Sequence, residues 1–136
     1  MSDQKNNKVI NISLWVVQVL LGLIFIMAGA TKGFQPIEAM AESMPWVTSV
    51  SEGLVRFIGI SELLGGIGLL LPSILRIKPN LTVWAAIGLT VVMVLAALFH
   101  TSRGEFPAIG ANAVFIALTV FVAWGRSKKA PILPKA

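Results

Sequence analysis

Arg56-Phe-Ile-Gly-Ile-Ser-Glu-Leu-Leu-Gly-Gly-Ile-Gly-Leu-Leu-Leu-Pro72 is the stretch that decides the fold. A helix from Leu54 to Leu71 extends roughly 27 Å at about 1.5 Å per residue, close to the thickness of a bilayer's hydrocarbon core. Glu62 then falls near the midplane, where a charged side chain costs on the order of 3 kcal/mol or more, so it must face protein rather than lipid. At about 100° per residue, Gly59, Gly65 and Gly66 lie within roughly 60° of Glu62. One side of this helix therefore carries almost no bulk, and neighbouring helices can approach closely around the carboxyl.

The rest of the chain has the same character. Its 136 residues are 56% hydrophobic and 12% charged, with a mean hydropathy of +0.84, a composition that belongs to an integral membrane protein. The net charge of +5 sits in short segments flanking apolar runs, which points to membrane orientation and away from nucleic acid. There is no cysteine and one histidine. The chain by itself therefore supplies no disulfide, no thiol chemistry, no cysteine-ligated iron–sulfur cluster and no bis-histidine haem.

Four apolar runs are long enough to cross, giving spans over 9–30, 54–71, 81–99 and 108–124 and an all-α fold, a four-transmembrane-helix bundle in a single membrane domain. A signal peptide is the rival reading of the first run, because Ala28-Gly29-Ala30 looks like a small-residue cleavage site. The run exceeds the length of an ordinary signal h-region and contains Gln18, which favours a span. Gln18, Gly22, Phe25, Gly29 and Lys32 fall on one line of that helix, which should face the bundle. Lys32 reads equally well as a snorkelling anchor or as an inward partner for Glu62.

Between the first two spans, Pro36 can open a short helix in which Ile37, Met40, Ala41 and Met44 share a face. This is expected to be an interfacial helix ended by Pro45 and anchored by Trp46, with Glu38, Glu42 and Glu52 in solvent. Pro72 is expected to end the second span, and Asn80 to N-cap the third. His100 closes the third span above a face of small residues. Asn112, Thr119 and Ala123 share a line in the fourth, and the tail 125–136 is expected to be mobile.

Lys5, Lys8, Arg76, Lys78, Arg126, Lys128, Lys129 and Lys135 fall on one side of this arrangement, against Lys32, Arg56 and Arg103 on the other, accounting for all 11 basic residues. The positive-inside rule then places both termini in the cytoplasm, with the chain in the inner membrane. Lys32, Arg56, Glu62, His100 and Asn112 share the outer half and are candidates for one site, with Gln18 as a further ligand candidate.

Several pieces of the chain resemble the DoxX-like family of small four-helix membrane proteins. These are Phe25-Ile-Met-Ala-Gly-Ala-Thr-Lys-Gly-Phe34, Met44-Pro45-Trp46, Gly59 through Pro72, Ala96-Ala-Leu-Phe-His100, Asn112, and Trp124-Gly125-Arg126. The resemblance implies four spans with both termini inside. It also implies a link to redox chemistry, since the family takes its name from a membrane subunit tied to thiosulfate oxidation with quinone as acceptor, and other relatives are associated with thiol-stress complexes. By position, Lys32, Glu62, His100 and Asn112 would form the polar site.

The function expected on these grounds is an accessory subunit of a membrane redox system, or a component that binds a small lipophilic, quinone-type ligand. It would work with a membrane or soluble redox partner protein, and homo-oligomerisation stays open. Quinone carbonyls need donors, and Lys32, His100 and Asn112 supply them, while Glu62 can handle a proton. Two alternatives compete. One is a proton-coupled exporter like the small multidrug resistance proteins, which also have four spans and one buried glutamate. The other is a structural scaffold whose polar groups satisfy one another. No complete catalytic constellation is present, and a metal site from Glu62, His100 and Glu105 fails on ligand count and depth.

Overall fold

The computed structural model describes residues 2–135, with side chains from Asn7 onward, so Met1, Ala136 and the side chain of Lys5 lie outside the described residues. Five α-helices follow one another: α1 (Ser2–Phe34), α2 (Ile37–Ala41), α3 (Glu52–Leu75), α4 (Asn80–Ser102) and α5 (Phe106–Trp124). A 3-10 turn at Pro45–Thr48 separates α2 from α3, and a π-helical turn at Gly125–Lys129 extends α5. Among the described residues there is no strand. Four helices are long and apolar enough to cross a membrane.

The core is a seam of large side chains, Leu14, Leu21, Phe25, Leu69, Leu89, Met93 and Val122, contributed by all four long helices. Large apolar residues on the outer surface, among them Met27, Phe57, Leu64, Trp84 and Leu95, are more than half exposed and meet lipid. The chain is a multi-pass membrane protein.

Glycine decides which helices touch most closely. A Cβ at Gly66 would come within 2.8 Å of the Gly22 carbonyl oxygen and the Ile26 amide of α1. One at Gly29 would collide with the Leu63 amide, and one at Gly59 with the Gly33 amide. At all three positions the obstacle is backbone, so α1 and α3 pack main chain against main chain. Gly65 faces α4 instead, where a Cβ would meet only the side chain of Leu89.

Pro72 does not end the second span; α3 runs through it to Leu75. Proline cannot donate to the carbonyl four residues back, which leaves Gly68 without its helical partner. Thr82 Oγ1 of α4 donates to that oxygen at 3.0 Å, so the helix continues at no loss of hydrogen bonding. Nor does Asn80 cap α4: it is the first helical residue, and Pro79 before it makes no side-chain cap.

The link between α1 and α3 folds back onto the protein. Met40 of α2 is buried with Val47 and Val55, and Ile37, Ala41, Met44 and Trp46 pack around them. Glu38, Glu42 and Glu52 are exposed. The tail, expected to be mobile, is mostly exposed but touches the bundle at a few points. Arg126 is buried, the Lys135 amide donates to the Arg76 carbonyl at 2.8 Å, and Arg76 Nε donates to the Leu133 carbonyl at 2.9 Å.

Candidate functional site

The close approach of α1 and α3 at Gly29, Gly33 and Gly59 sets Lys32 beside Glu62. Lys32 Nζ donates to Glu62 Oε1 at 2.8 Å and Oε2 at 3.0 Å. The carboxylate side chain is 2% exposed and the lysine 15%. Of the two readings of Lys32, the inward partner is the one realised: α1 continues to Phe34, so Lys32 is still helical and points across the glycine contact.

This pair forms one wall of a cavity of about 300 Å³. His100, in the last turn of α4, and Asn112, near the start of α5, line it too. Each long helix thus contributes a polar group, and α3 adds Ser61. The remaining lining is apolar, including Trp46, Phe57, Val92, Met93 and Phe99.

His100 is held from behind. Its Nδ1 lies 3.0 Å from Glu105 Oε1, which also accepts from Arg103 Nε at 2.8 Å. With its Nδ1 proton on that bond, the ring keeps Nε2 as an acceptor when neutral and as a donor only when protonated. The contact with His100, reinforced by Arg103, holds the Glu105 carboxyl below its ordinary pKa of 4.5. Arg103 also donates to Ser49 Oγ at 2.7 Å, and Trp46 meets Phe99 and His100 edge-on at 6.0 and 6.3 Å. The α2–α3 link is thereby pinned over the cavity.

Asn112 is the unsatisfied member. It is 8% exposed, and its buried Nδ2 has no hydrogen-bond partner among the described residues. A buried amide N–H without a partner costs roughly 1–3 kcal/mol, a cost that an oxygen acceptor reaching it would remove.

Two further candidates lie elsewhere. Arg56 stands at the rim of the bundle, where Nη1 donates to the Lys32 and Gln35 carbonyls at 3.0 and 2.6 Å and Nη2 to Glu52 at 3.1 Å. It closes the C-terminus of α1, whose free carbonyls attract a cation. Gln18 is fully buried, about 14 residues and roughly 21 Å of helix away from Lys32. Its Oε1 accepts from Arg126 Nε at 2.5 Å, and its Nε2 donates to the Leu69 carbonyl at 2.7 Å and to Ser73 Oγ at 3.2 Å.

That second polar layer escaped sequence reading. Arg126, counted only as a tail charge, is 3% exposed. It donates to Asn11 Oδ1 at 2.6 Å and stacks over Trp15 at 5.2 Å. The available signal was the continuation of the Gln18 stripe: Asn11 stands seven residues before Gln18, on the same helix line.

Among the described residues no group of three or more histidine, aspartate or glutamate side chains is placed to hold a metal ion. No curated protein and no solved structure matches the chain. A family description does match: that of the DoxX-like family, over residues 16–122. The matched segment runs from α1 to the last turn of α5 and contains Lys32, Glu62, His100 and Asn112, and the chain belongs to the DoxX-like family.

Proposed function

We propose that the protein binds a quinone-type ligand, a flat apolar ring with carbonyl acceptors, in the cavity bounded by Lys32, Glu62, His100 and Asn112, and serves a membrane redox system as its accessory subunit. The observation that carries this reading is the unpaired Asn112 Nδ2 beside a cavity whose walls, apart from Lys32, Glu62, Ser61 and His100, are apolar. A carbonyl oxygen satisfies that donor, and the remaining N–H of Lys32 serves a second one. The aromatic and aliphatic walls suit the ring, in the usual proportion of many apolar contacts to a few placed polar groups. Electrons come from a partner protein, because this chain has no cysteine and a single histidine. Glu62, bonded to Lys32, holds the ammonium beside the ligand.

An exporter that alternates between proton and cationic substrate needs a carboxylate free to take either. Here Lys32 already supplies Glu62 with a cation at 2.8 Å, which weighs against transport.

Titration with a short-tailed quinone, followed by quenching of Trp46 fluorescence, tests the site. Saturable quenching that disappears in Trp46→Phe and weakens roughly threefold to tenfold in Asn112→Leu is expected, the loss matching one hydrogen bond of about 0.5–1.5 kcal/mol. Quenching that is unsaturable, or unaffected by Asn112→Leu, overturns the reading.

The basic residues at the end carrying both chain termini support an orientation with that end in the cytoplasm of an inner membrane. The chain has no native cysteine, so single cysteines at Ser127 and Ser43, both exposed, report it directly. Ser127→Cys should react with an impermeant reagent only from the cytoplasm, and Ser43→Cys only from outside.

A further inference from the structure

We propose that the ligand of this cavity carries a long apolar tail, and that the tail leaves between α3 and α4 to lie in the groove floored by Gly88. The inference rests on the headgroup reading above and adds the class of molecule and its route.

The cavity is open on one side. Phe57 of α3 and Leu95 of α4 line it and are also 70% and 61% exposed, so this wall borders lipid. A second hollow, an open groove of about 680 Å³, continues from it along the same two helices, and Ser61 and Val92 line both. The junction offers no polar obstacle, because the Ser61 hydroxyl already donates to the Phe57 carbonyl at 2.8 Å. From Ser61 to Leu75 the groove follows roughly 21 Å of α3. It is lined by no charged residue.

Its cross-section is that of a trough. At Gly68 the helices are nearly in contact, since a Cβ there would come within 2.7 Å of the Ala85 side chain. At Gly88 a Cβ would meet nothing within 4 Å. Close packing beneath and open space above make an open apolar trough that an apolar chain can enter. Burial alone does not select an occupant here, because membrane lipid tails are as apolar as the groove. Attachment to a headgroup held in the cavity does, by raising the local concentration of that one tail far above that of free lipid chains.

The test uses the full chain in lipid nanodiscs and a quinone whose tail of several isoprene units ends in a diazirine. Photolysis should label the far end of the groove, at Leu75, Ile77, Leu81 or Trp84. Excess short-tailed quinone should suppress that label severalfold, and Gly88→Phe, which fills open space without crowding the core, should do the same while leaving short-tailed quenching of Trp46 intact. Labelling that short-tailed quinone does not suppress assigns the groove to bulk lipid and overturns the proposal. So does labelling spread around all lipid-facing surfaces, or an unlabelled groove accompanied by chain dimers on native gels, which gives it to a second copy. Absence of saturable Trp46 quenching in the wild type marks failure at the headgroup site itself. Normal quenching with no tail label marks failure of the groove alone.

Discussion

Lys32 Nζ donates to both carboxylate oxygens of Glu62, at 2.8 and 3.0 Å, across the glycine contact between α1 and α3. A buried ion pair of this kind is held in place by what surrounds it. Gly59, one turn before Glu62, lets the Lys32 backbone approach, so the pair and the glycine contact depend on each other.

Breaking the pair from one side should therefore be more harmful than removing it whole. Glu62→Gln leaves an uncompensated ammonium and Lys32→Met an uncompensated carboxylate, each expected to cost on the order of 3–5 kcal/mol. The double variant Lys32→Met/Glu62→Gln should recover a large part of that loss, and detergent melting curves read the coupling. Additive losses would mean that the two groups act independently.

The glycine contacts make a graded prediction. Gly66→Leu and Gly59→Leu place side chains against α1 backbone that cannot move aside, and each should lower the melting temperature severely or prevent folding. Gly65→Ala meets only the flexible end of Leu89, and its cost should stay within the 1–3 kcal/mol of ordinary overpacking. Gly88→Ala, with nothing in its way, should be neutral or stabilise by up to about 1 kcal/mol through helix propensity. Equal effects at Gly66 and Gly88 would place the α1–α3 contact elsewhere.

The membrane-spanning fold was legible because hydropathy and helical periodicity report burial directly: four apolar runs read as four helices, and the Glu62 face with its glycines read as a contact face. The site was legible as far as side-chain class goes, since a charge or amide within a span must find protein. Pairing was less so. Arg56 and Lys32 both stand near helix ends with long cationic side chains, and only the path of the chain after Phe34 determines that Lys32 reaches Glu62 while Arg56 caps the α1 carbonyls. Pro72 misled for a related reason. Its helix-breaking tendency is local, whereas the hydroxyl that cancels it comes from Thr82 on the next helix.

The loop cluster behind His100 gives a pH dependence. The Glu105 pKa is lowered below 4.5 by its contact with His100 first and with Arg103 second. A depressed carboxyl pKa means that the folded state favours the carboxylate. Its contribution to stability is present above the unfolded pKa and is lost as pH falls through the lower folded value. Melting measured on acidification below about 4.5 should thus fall more steeply in the wild type than in Glu105→Gln. Identical acid limbs would show that the cluster does not contribute to stability.

The Pro72 bypass is the sharpest test of the second polar layer. Thr82 Oγ1 donates its single proton to the Gly68 carbonyl at 3.0 Å, so in the 2.6 Å contact between Ser73 and Thr82 the serine must be the donor. Ser73 in turn accepts from Gln18, and Gln18 accepts from Arg126, so the donors run in one direction from the guanidinium to the carbonyl that Pro72 left free. Thr82→Val keeps the shape but orphans that buried carbonyl, for an expected loss of about 1–3 kcal/mol. In a Pro72→Ala background the amide at position 72 can serve Gly68 as in any helix, and the same Thr82→Val change should then cost only the roughly 0.5–1.5 kcal/mol of an ordinary hydrogen bond. The difference between the two backgrounds, read from melting curves of the four variants in one detergent, measures how far Thr82 substitutes for the missing amide. Equal costs would show that the Gly68 carbonyl has another partner and that Thr82 serves only the Ser73 contact.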